Sequence, residues 1–405
     1  MFKGLRKITS WTTTLLRSRL AVRFGVAIFL LIVSAASFCT FYQKWSLREG
    51  ETRFSAQLML DGQAERPFVY RRLAPETANV LDKVTPARIK SAIVKEMFSR
   101  NSMHVRAEVA NPKYSFRTVV LYWIAFFAML GAGVAIYFMI SGSHGPVPAM
   151  IGTAAFMCFY PILEERGGHV YDLIELFFLT LSILLARSKL APALILLAPI
   201  AVYNKEAYVF FLPTLLPLLW ARYSGTQGGT FRGMTLSGIL YRAVIPLGII
   251  GSACVAAGVV YLLVKMKYAH NVGSDVDVWF LENLKWYANP VHLGSVDWTY
   301  GLPWFAAYSI VTIVILAFIA ANGLPAMKAP ERWHLFFVFA VNTPLFIVLA
   351  YHSEVRNYSL TFPALALLTG AAVDHIIRSS KLAVPQAAAG EAPAGPVIVQ
   401  SRAQA

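Results

Sequence analysis

The sequence predicts an all-α fold, a polytopic transmembrane bundle of about ten helices with a helical first extracytoplasmic loop. Three observations predict it. Hydrophobic residues make up 57% of the 405 and charged residues 14%, against roughly 25% charged in soluble domains. The apolar residues run continuously, near the about 20 needed to cross a hydrocarbon core of about 30 Å as helix, whereas barrel strands alternate. Ionisable clusters fall between the runs, mostly at one end of alternating spans.

The elements follow in order. Residues 1–20 carry Lys3, Arg6, Lys7, Arg17 and Arg19 and read as a basic cytoplasmic N-terminus. An apolar run at 21–42 gives the first transmembrane helix. It is long for a secretory signal, and no small-x-small cleavage site ends it. Residues 43–117 form the longest polar stretch and the first outer loop. Within it Thr85-Pro86 starts a helix. Ile89, Ile93 and Met97 line one face of that helix among Lys90, Lys95, Glu96 and Arg100. This is an amphipathic helix, either lying in the membrane interface or belonging to a small soluble cap.

Further spans are expected at 118–140, 145–163, 171–187, 190–203, 206–221, 243–264, 303–321, 333–351 and 358–378, within a bundle region at 118–379. The short pair around Lys189 is alternatively one re-entrant hairpin. A cytoplasmic N-terminus then puts Arg187/Lys189, Arg222/Arg232/Arg242, Lys328/Arg332 and Arg378/Lys381 inside, in keeping with the positive-inside rule. The basic 43–117 loop falls outside, where the rule weakens for loops above about 60 residues. Residues 380–405 are rich in Ala, Pro and Gly and read as a disordered cytoplasmic tail. Short loops and this orientation fit a bacterial-type inner membrane.

The formal net charge of +15 is explained by basic cytoplasmic loops near anionic headgroups, so no nucleic-acid partner is expected. Cys39, Cys158 and Cys254 are far apart without a CxxC pair and read as packing residues. There is no Walker A, GxSxG or HExxH motif, and the eight histidines lack metal-ligand spacing. No metal or cofactor is called for.

Four polar segments remain as candidates for chemistry. In Arg66–Pro75, two prolines bracket Tyr70, Arg71 and Arg72. Guanidinium groups suit a lipid-linked phosphate, or simply anchor the loop to phospholipid. In Glu164-Glu165-Arg166-Gly167-Gly168-His169, the chain leads to Asp172 and Glu175, one helical turn apart on one face. Carboxylates cost about 2.5–3.5 kcal/mol at a membrane helix centre, so these two are paired or line a wet cavity, unless Asp172 merely complements the helix dipole. Asn204-Lys205-Glu206 is a solvated turn or sets Lys205 against a phosphate or carboxylate. In His352–Tyr358, Glu354 and Arg356 face each other or the same cavity.

The late outer loop at 266–302 adds Asp275 and Asp277, weak as a divalent-ion pair. It also adds Trp279, Trp286, Tyr287, Trp298 and Tyr300, with Trp304 just beyond. Aromatics stack on sugars, but an interfacial belt accounts better for most of them. Glu49, Glu51, Asp61 and Glu65 complete the acids of the first loop. A base for an acceptor hydroxyl is drawn from among them, with Glu51 favoured for its closeness to the membrane exit.

The layout resembles the GT-C superfamily of polytopic glycosyltransferases. The likeness rests on the large loop after helix one, PFVYRRLAP at Pro67–Pro75, YDLIELFFLTLSILL at Tyr171–Leu185, NKE at Asn204–Glu206 and EVRNY at Glu354–Tyr358. The Asp motif expected close to helix one is absent, and Glu49, Glu51 and Asp61 stand in. The resemblance implies a polyprenyl-phosphate-linked sugar as donor and an extracytoplasmic glycan, lipid or protein as acceptor. Glu51, Asp61 and Asp172 become the catalytic candidates. Tyr70, Arg71, Arg72, Glu165, His169, Lys205, Glu206, Glu354 and Arg356 become the substrate-binding ones, with the cations neutralising the leaving phosphate.

Rival readings are an O-antigen polymerase or ligase, a transporter or flippase, and a non-catalytic envelope scaffold. The large loop comes first rather than late, which favours the transferase. The charges sit at helix ends rather than at the midplane where transporters place them.

Overall fold

The computed structural model describes residues 19–47, 51–99, 111–165, 167–224, 236–297, 304–352 and 354–383. The basic segment at 1–18, Glu49, Arg100, Arg166, Arg232, Trp298, Tyr300 and the tail beyond 383 lie outside the described residues.

The chain is helical apart from a two-residue antiparallel pairing, Val296–Asp297 against Trp304–Phe305. Helix α1 (Arg19–Trp45) leads into a first loop built of α2 (Ala56–Asp61), α3 (Leu73–Val84) and α4 (Ala87–Ser99). The expected helical loop is present. Ser55 accepts the Leu58 N–H at 3.3 Å to start α2, and Gly62, at φ 72°, ends it in the left-handed region that glycine enters without steric cost. The amphipathic character of α4 is retained, with Ile89 and Ile93 on the open side.

The bundle comprises α5 (Ser115–His144), α6 (Pro146–Leu163), α7 (Val170–Arg187), α8 (Leu194–Asn204), α9 (Tyr208–Phe211), α10 (Leu216–Tyr223) and α11 (Leu236–Lys267). After the late loop with α12 (Phe280–Tyr287) come α13 (Ile310–Ala326), α14 (Ala329–Leu349) and α15 (Phe362–Ala383).

Six helices among the described residues are long and apolar enough to cross a membrane: Leu20–Trp45, Ser115–His144, Pro146–Leu163, Arg242–Lys267, Ala329–Leu349 and Val355–Ser380. The chain is a membrane protein with several spans. Helix α7 has 18 residues but carries Asp172, Glu175 and Arg187. Segments Ala191–Asn204 and Ile310–Ala326 are apolar but shorter.

The interior is set by α5, α6, α7 and α15. Helix α5 packs on α6 and α7, and α15 on α6 and α13. The last span is 78% buried within the protein, whereas α1, α11 and α14 are each 28% buried and leave apolar faces for lipid. Where lipid offers no less apolar an environment than a neighbouring helix, small residues decide close approach. A Cβ on Gly152 of α6 would lie 2.8 Å from the Gly370 Cα of α15, so these two glycines set that crossing.

The first loop is fastened to the bundle end. The Arg72 N–H donates to the Tyr203 carbonyl at 2.9 Å. Asp61 accepts from Lys113 Nζ at 2.7 Å, Tyr114 Oη at 2.6 Å and Arg117 Nη1 at 3.3 Å, all at the foot of α5. Asp275 of the late loop accepts from Tyr70 Oη at 2.5 Å and Arg66 Nη1 at 3.2 Å, and pairs with Lys265 at 2.8 Å. Both loops therefore close over the same end.

Candidate functional site

Asp172 is the centre of a buried ion cluster at that end. In the first turn of α7, its Oδ2 accepts the His169 N–H at 2.9 Å, a helix-capping role. Its Oδ1 accepts from Lys205 Nζ at 2.9 Å, and the same Nζ donates to Glu175 Oε2 at 2.6 Å. Arg356 approaches Asp172 Oδ2 at 3.4 Å through Nη1 and Glu354 Oε2 at 3.2 Å through Nη2. Asp172 and Glu175 are each 1% exposed. The single-face spacing expected of them is what lets one ammonium reach both. Lys205 is carried there because α8 ends at Asn204, whose Nδ2 bonds the Tyr171 carbonyl at 2.8 Å.

Arg71 forms the second layer. It pairs with Glu206 through Nη2 at 2.9 Å and Nε at 3.4 Å, and its guanidinium lies 4.3 Å from the Tyr171 ring centre. On that ring His169 stacks at 4.6 Å and 13°. Burial works to raise the Glu206 pKa, but the adjacent Arg71 outweighs it and holds the carboxyl below its ordinary range.

A small cleft opens beside Arg71. Leu47, Phe54, Met59, Pro75 and Leu121 make apolar walls, and Arg71, His169 and Tyr171 make the polar end. Arg71 Nη1 carries no hydrogen bond among the described residues, so it retains donors for an anion in this cleft.

The two adjacent arginines do not act as a pair. Arg72 turns away, donating to the Met59 carbonyl and to Glu76 at 2.8 Å, and it stacks near Tyr268. Tyr70 also turns toward Asp275. Burial first, and then the bond to Asp275, pushes its phenol up to about 12. Of the expected group, Arg71, His169, Asp172, Lys205, Glu206, Glu354 and Arg356 meet. Glu165 is buried, and its Oε2 accepts the Ala307 N–H at 2.6 Å.

Asp61 serves the α5 foot. Burial raises its pKa, but the Lys113 and Tyr114 bonds hold it lower than usual. Glu51 lies in the segment ahead of α2. Trp286 is sandwiched by His292 at 4.1 Å and His352 at 4.8 Å, so neither face is open to a sugar. Among the described residues no group of three or more His, Cys, Asp or Glu is arranged for a metal ion.

Glu164 entered the sequence reading only as part of its polar segment, with no role, and Tyr160 was missed. Glu164 is fully buried, and neither its carboxyl oxygens nor Tyr160 Oη, one turn earlier, makes a hydrogen bond of ordinary geometry. Their i, i+4 spacing at the end of an apolar run was a usable signal. No family model, curated protein or solved structure matches this chain.

Proposed function

We propose that this protein is an integral-membrane glycosyltransferase that moves a sugar from a polyprenyl-phosphate donor to an extracytoplasmic glycan, lipid or protein acceptor in envelope assembly. The observation that carries the reading is the cleft: apolar walls that suit a prenyl chain end on Arg71, beside the buried Asp172–Lys205–Arg356 cluster. A phosphate-capped lipid matches both ends of such a cleft.

On this reading the six long spans and four shorter ones, α7, α8, the α9–α10 run and α13, make ten crossings of an inner membrane. The termini are cytoplasmic and the cluster faces outward. The exposed apolar side of α4 rests on the outer leaflet beside the cleft mouth.

Arg71 Nη1 holds the donor phosphate, and Lys205 and Arg356 supply positive potential behind it. The anomeric C–O bond breaks with its electron pair going to the phosphate. The acceptor oxygen bonds the anomeric carbon and yields its proton to a carboxylate. Asp172 is the base this arrangement favours, because it is bonded to residues at the cleft's polar end, whereas Asp61 is committed to the foot of α5.

The test is transfer by purified protein in nanodiscs with a panel of polyprenyl-phosphate sugars. Turnover with at least one donor is expected, with loss in Arg71→Ala and Asp172→Asn. No turnover with any donor removes the reading.

A further inference from the structure

Among the described residues Glu164 is a carboxyl of the bundle end with no basic partner of its own. It is 0% exposed, and neither oxygen makes a hydrogen bond of ordinary geometry, Tyr160 being its nearest hydrogen-bonding side chain. Its main-chain carbonyl accepts from Trp45 Nε1 of α1 at 2.6 Å. The side chain is fenced by Tyr160 on its own helix, Asp172 of α7, Lys205 after α8 and Arg356 before α15. Both cations are already spent on Asp172, Glu175 and Glu354. An ionised carboxylate there would face Asp172 without a counter-ion of its own, at a large desolvation cost.

Other polar atoms around it are also unsatisfied. Tyr160 Oη, Tyr171 Oη, Glu175 Oε1, Asn204 Oδ1 and Arg356 Nε are buried without partners. Leaving such atoms unpaired is costly, and native interiors leave few of them. Buried polar atoms of this kind are where internal water binds. Burial first, and then the neighbouring Asp172 charge, push the Glu164 carboxyl well above its ordinary range.

We infer that Glu164 is a proton-binding site of the folded protein, a buried carboxylic acid behind the Arg71 cleft, and that its ionisation sets the affinity of the cleft for a phosphate anion. The second half rests on the glycosyltransferase reading; the first does not. Asp172 interacts electrostatically with both Glu164 and Arg71, so the two positions share one field. A new negative charge on Glu164 repels an anion at Arg71. Binding is therefore tight while Glu164 is protonated and weakens as pH rises through its folded pKa.

Two measurements test this on full-length protein in nanodiscs. Infrared difference spectra across a pH titration should show the carbonyl band of an un-ionised carboxylic acid at neutral pH, kept in Glu164→Asp and lost in Glu164→Gln. Affinity for a polyprenyl monophosphate should fall roughly tenfold from neutral to alkaline pH in wild type and in Glu164→Asp, and stay tight and flat in Glu164→Gln. A band that is absent in wild type, or that persists in Glu164→Gln, overturns the proton site. An unchanged alkaline fall in Glu164→Gln overturns the linkage. If no lipid phosphate binds at any pH while the band behaves as expected, the cleft assignment and the linkage fail and the proton site stands.

Discussion

At one end of α7, Asp172 divides itself between Lys205 and Arg356 while Glu175 shares the same ammonium. Fifteen residues on, about 22 Å along the helix, Arg187 makes a compact clamp. It donates to the Met139 carbonyl at 3.0 Å and Ser143 Oγ at 2.5 Å, and pairs with Glu331 at 3.1 Å. Nearby, Asp374 takes His144 at 2.9 Å and Arg378 at 2.8 Å. At the far end each carboxylate has its own basic partner, and the contacts tie α5, α7, α14 and α15 together. At the loop end, among the described residues, Asp172, Glu175, Glu206, Glu354 and Glu164 outnumber Lys205, Arg71 and Arg356, and polar atoms go unused. The first pattern is a fastener. The second holds polar capacity that stability alone does not require, as sites do.

The largest expected effect breaks or keeps that contrast. Lys205→Met strands Glu175, leaves Asp172 with Arg356 alone and should cost about 3–5 kcal/mol, read as thermal unfolding of detergent-purified protein. Arg187→Met leaves Glu331 bonded to Ser143 Oγ at 2.5 Å and should cost about 1.5–3 kcal/mol. A reversed order would mean that the far end carries the greater electrostatic load.

Next come the two neighbouring arginines. Arg71→Ala should weaken polyprenyl phosphate binding by about tenfold or more, some 1.4 kcal/mol, and lower stability as well by unpairing Glu206. Arg72→Ala should leave that binding near wild type and loosen the first loop, because its bonds go to Met59 and Glu76. Equal losses of binding in the two variants would restore a paired phosphate clamp.

That divergence shows what the sequence could and could not convey. The helical class, the helical first loop and the Asp172–Glu175 face were legible, because apolar runs and i, i+3 spacing act through local geometry. The convergence of Lys205 and Arg356 on Asp172 was legible only as polar patches sharing one end. Which arginine faces the cleft was not legible. Arg71 and Arg72 are adjacent in sequence and are separated only by the turn from the 3-10 segment at Phe68–Tyr70 into α3. The role of Asp61 was hidden too, since its three partners lie 52 to 56 positions away.

A smaller effect is expected from Asp61→Asn. One of its partners, Lys113, is 60% exposed, and such pairs contribute about 0.2–1 kcal/mol. Sugar transfer should survive in this variant, while Asp172→Asn should abolish it. Loss of transfer in Asp61→Asn with normal unfolding would move the base into the first loop and leave the Asp172 cluster as a second fastener.

Acid provides the mildest probe. The Lys265 and Tyr70 bonds hold Asp275 lower than usual. Glu206 and Asp61 are also held low, by Arg71 and by Lys113 with Tyr114, against the opposing effect of burial. A depressed carboxyl adds stability above its unfolded pKa, about 3.9 for Asp and 4.3 for Glu, and loses that contribution as pH falls through the lower folded value. All three fasten loop segments to one another or to the bundle end. Between neutrality and about pH 5 the loops should therefore stay docked, and below about pH 4 they should begin to release. Limited proteolysis with an acid-active protease should then cut within 43–117 before it cuts the bundle. Cleavage that starts instead near neutral pH would show that these carboxylates do not hold the loops, and would take the covered cleft out of the comparison.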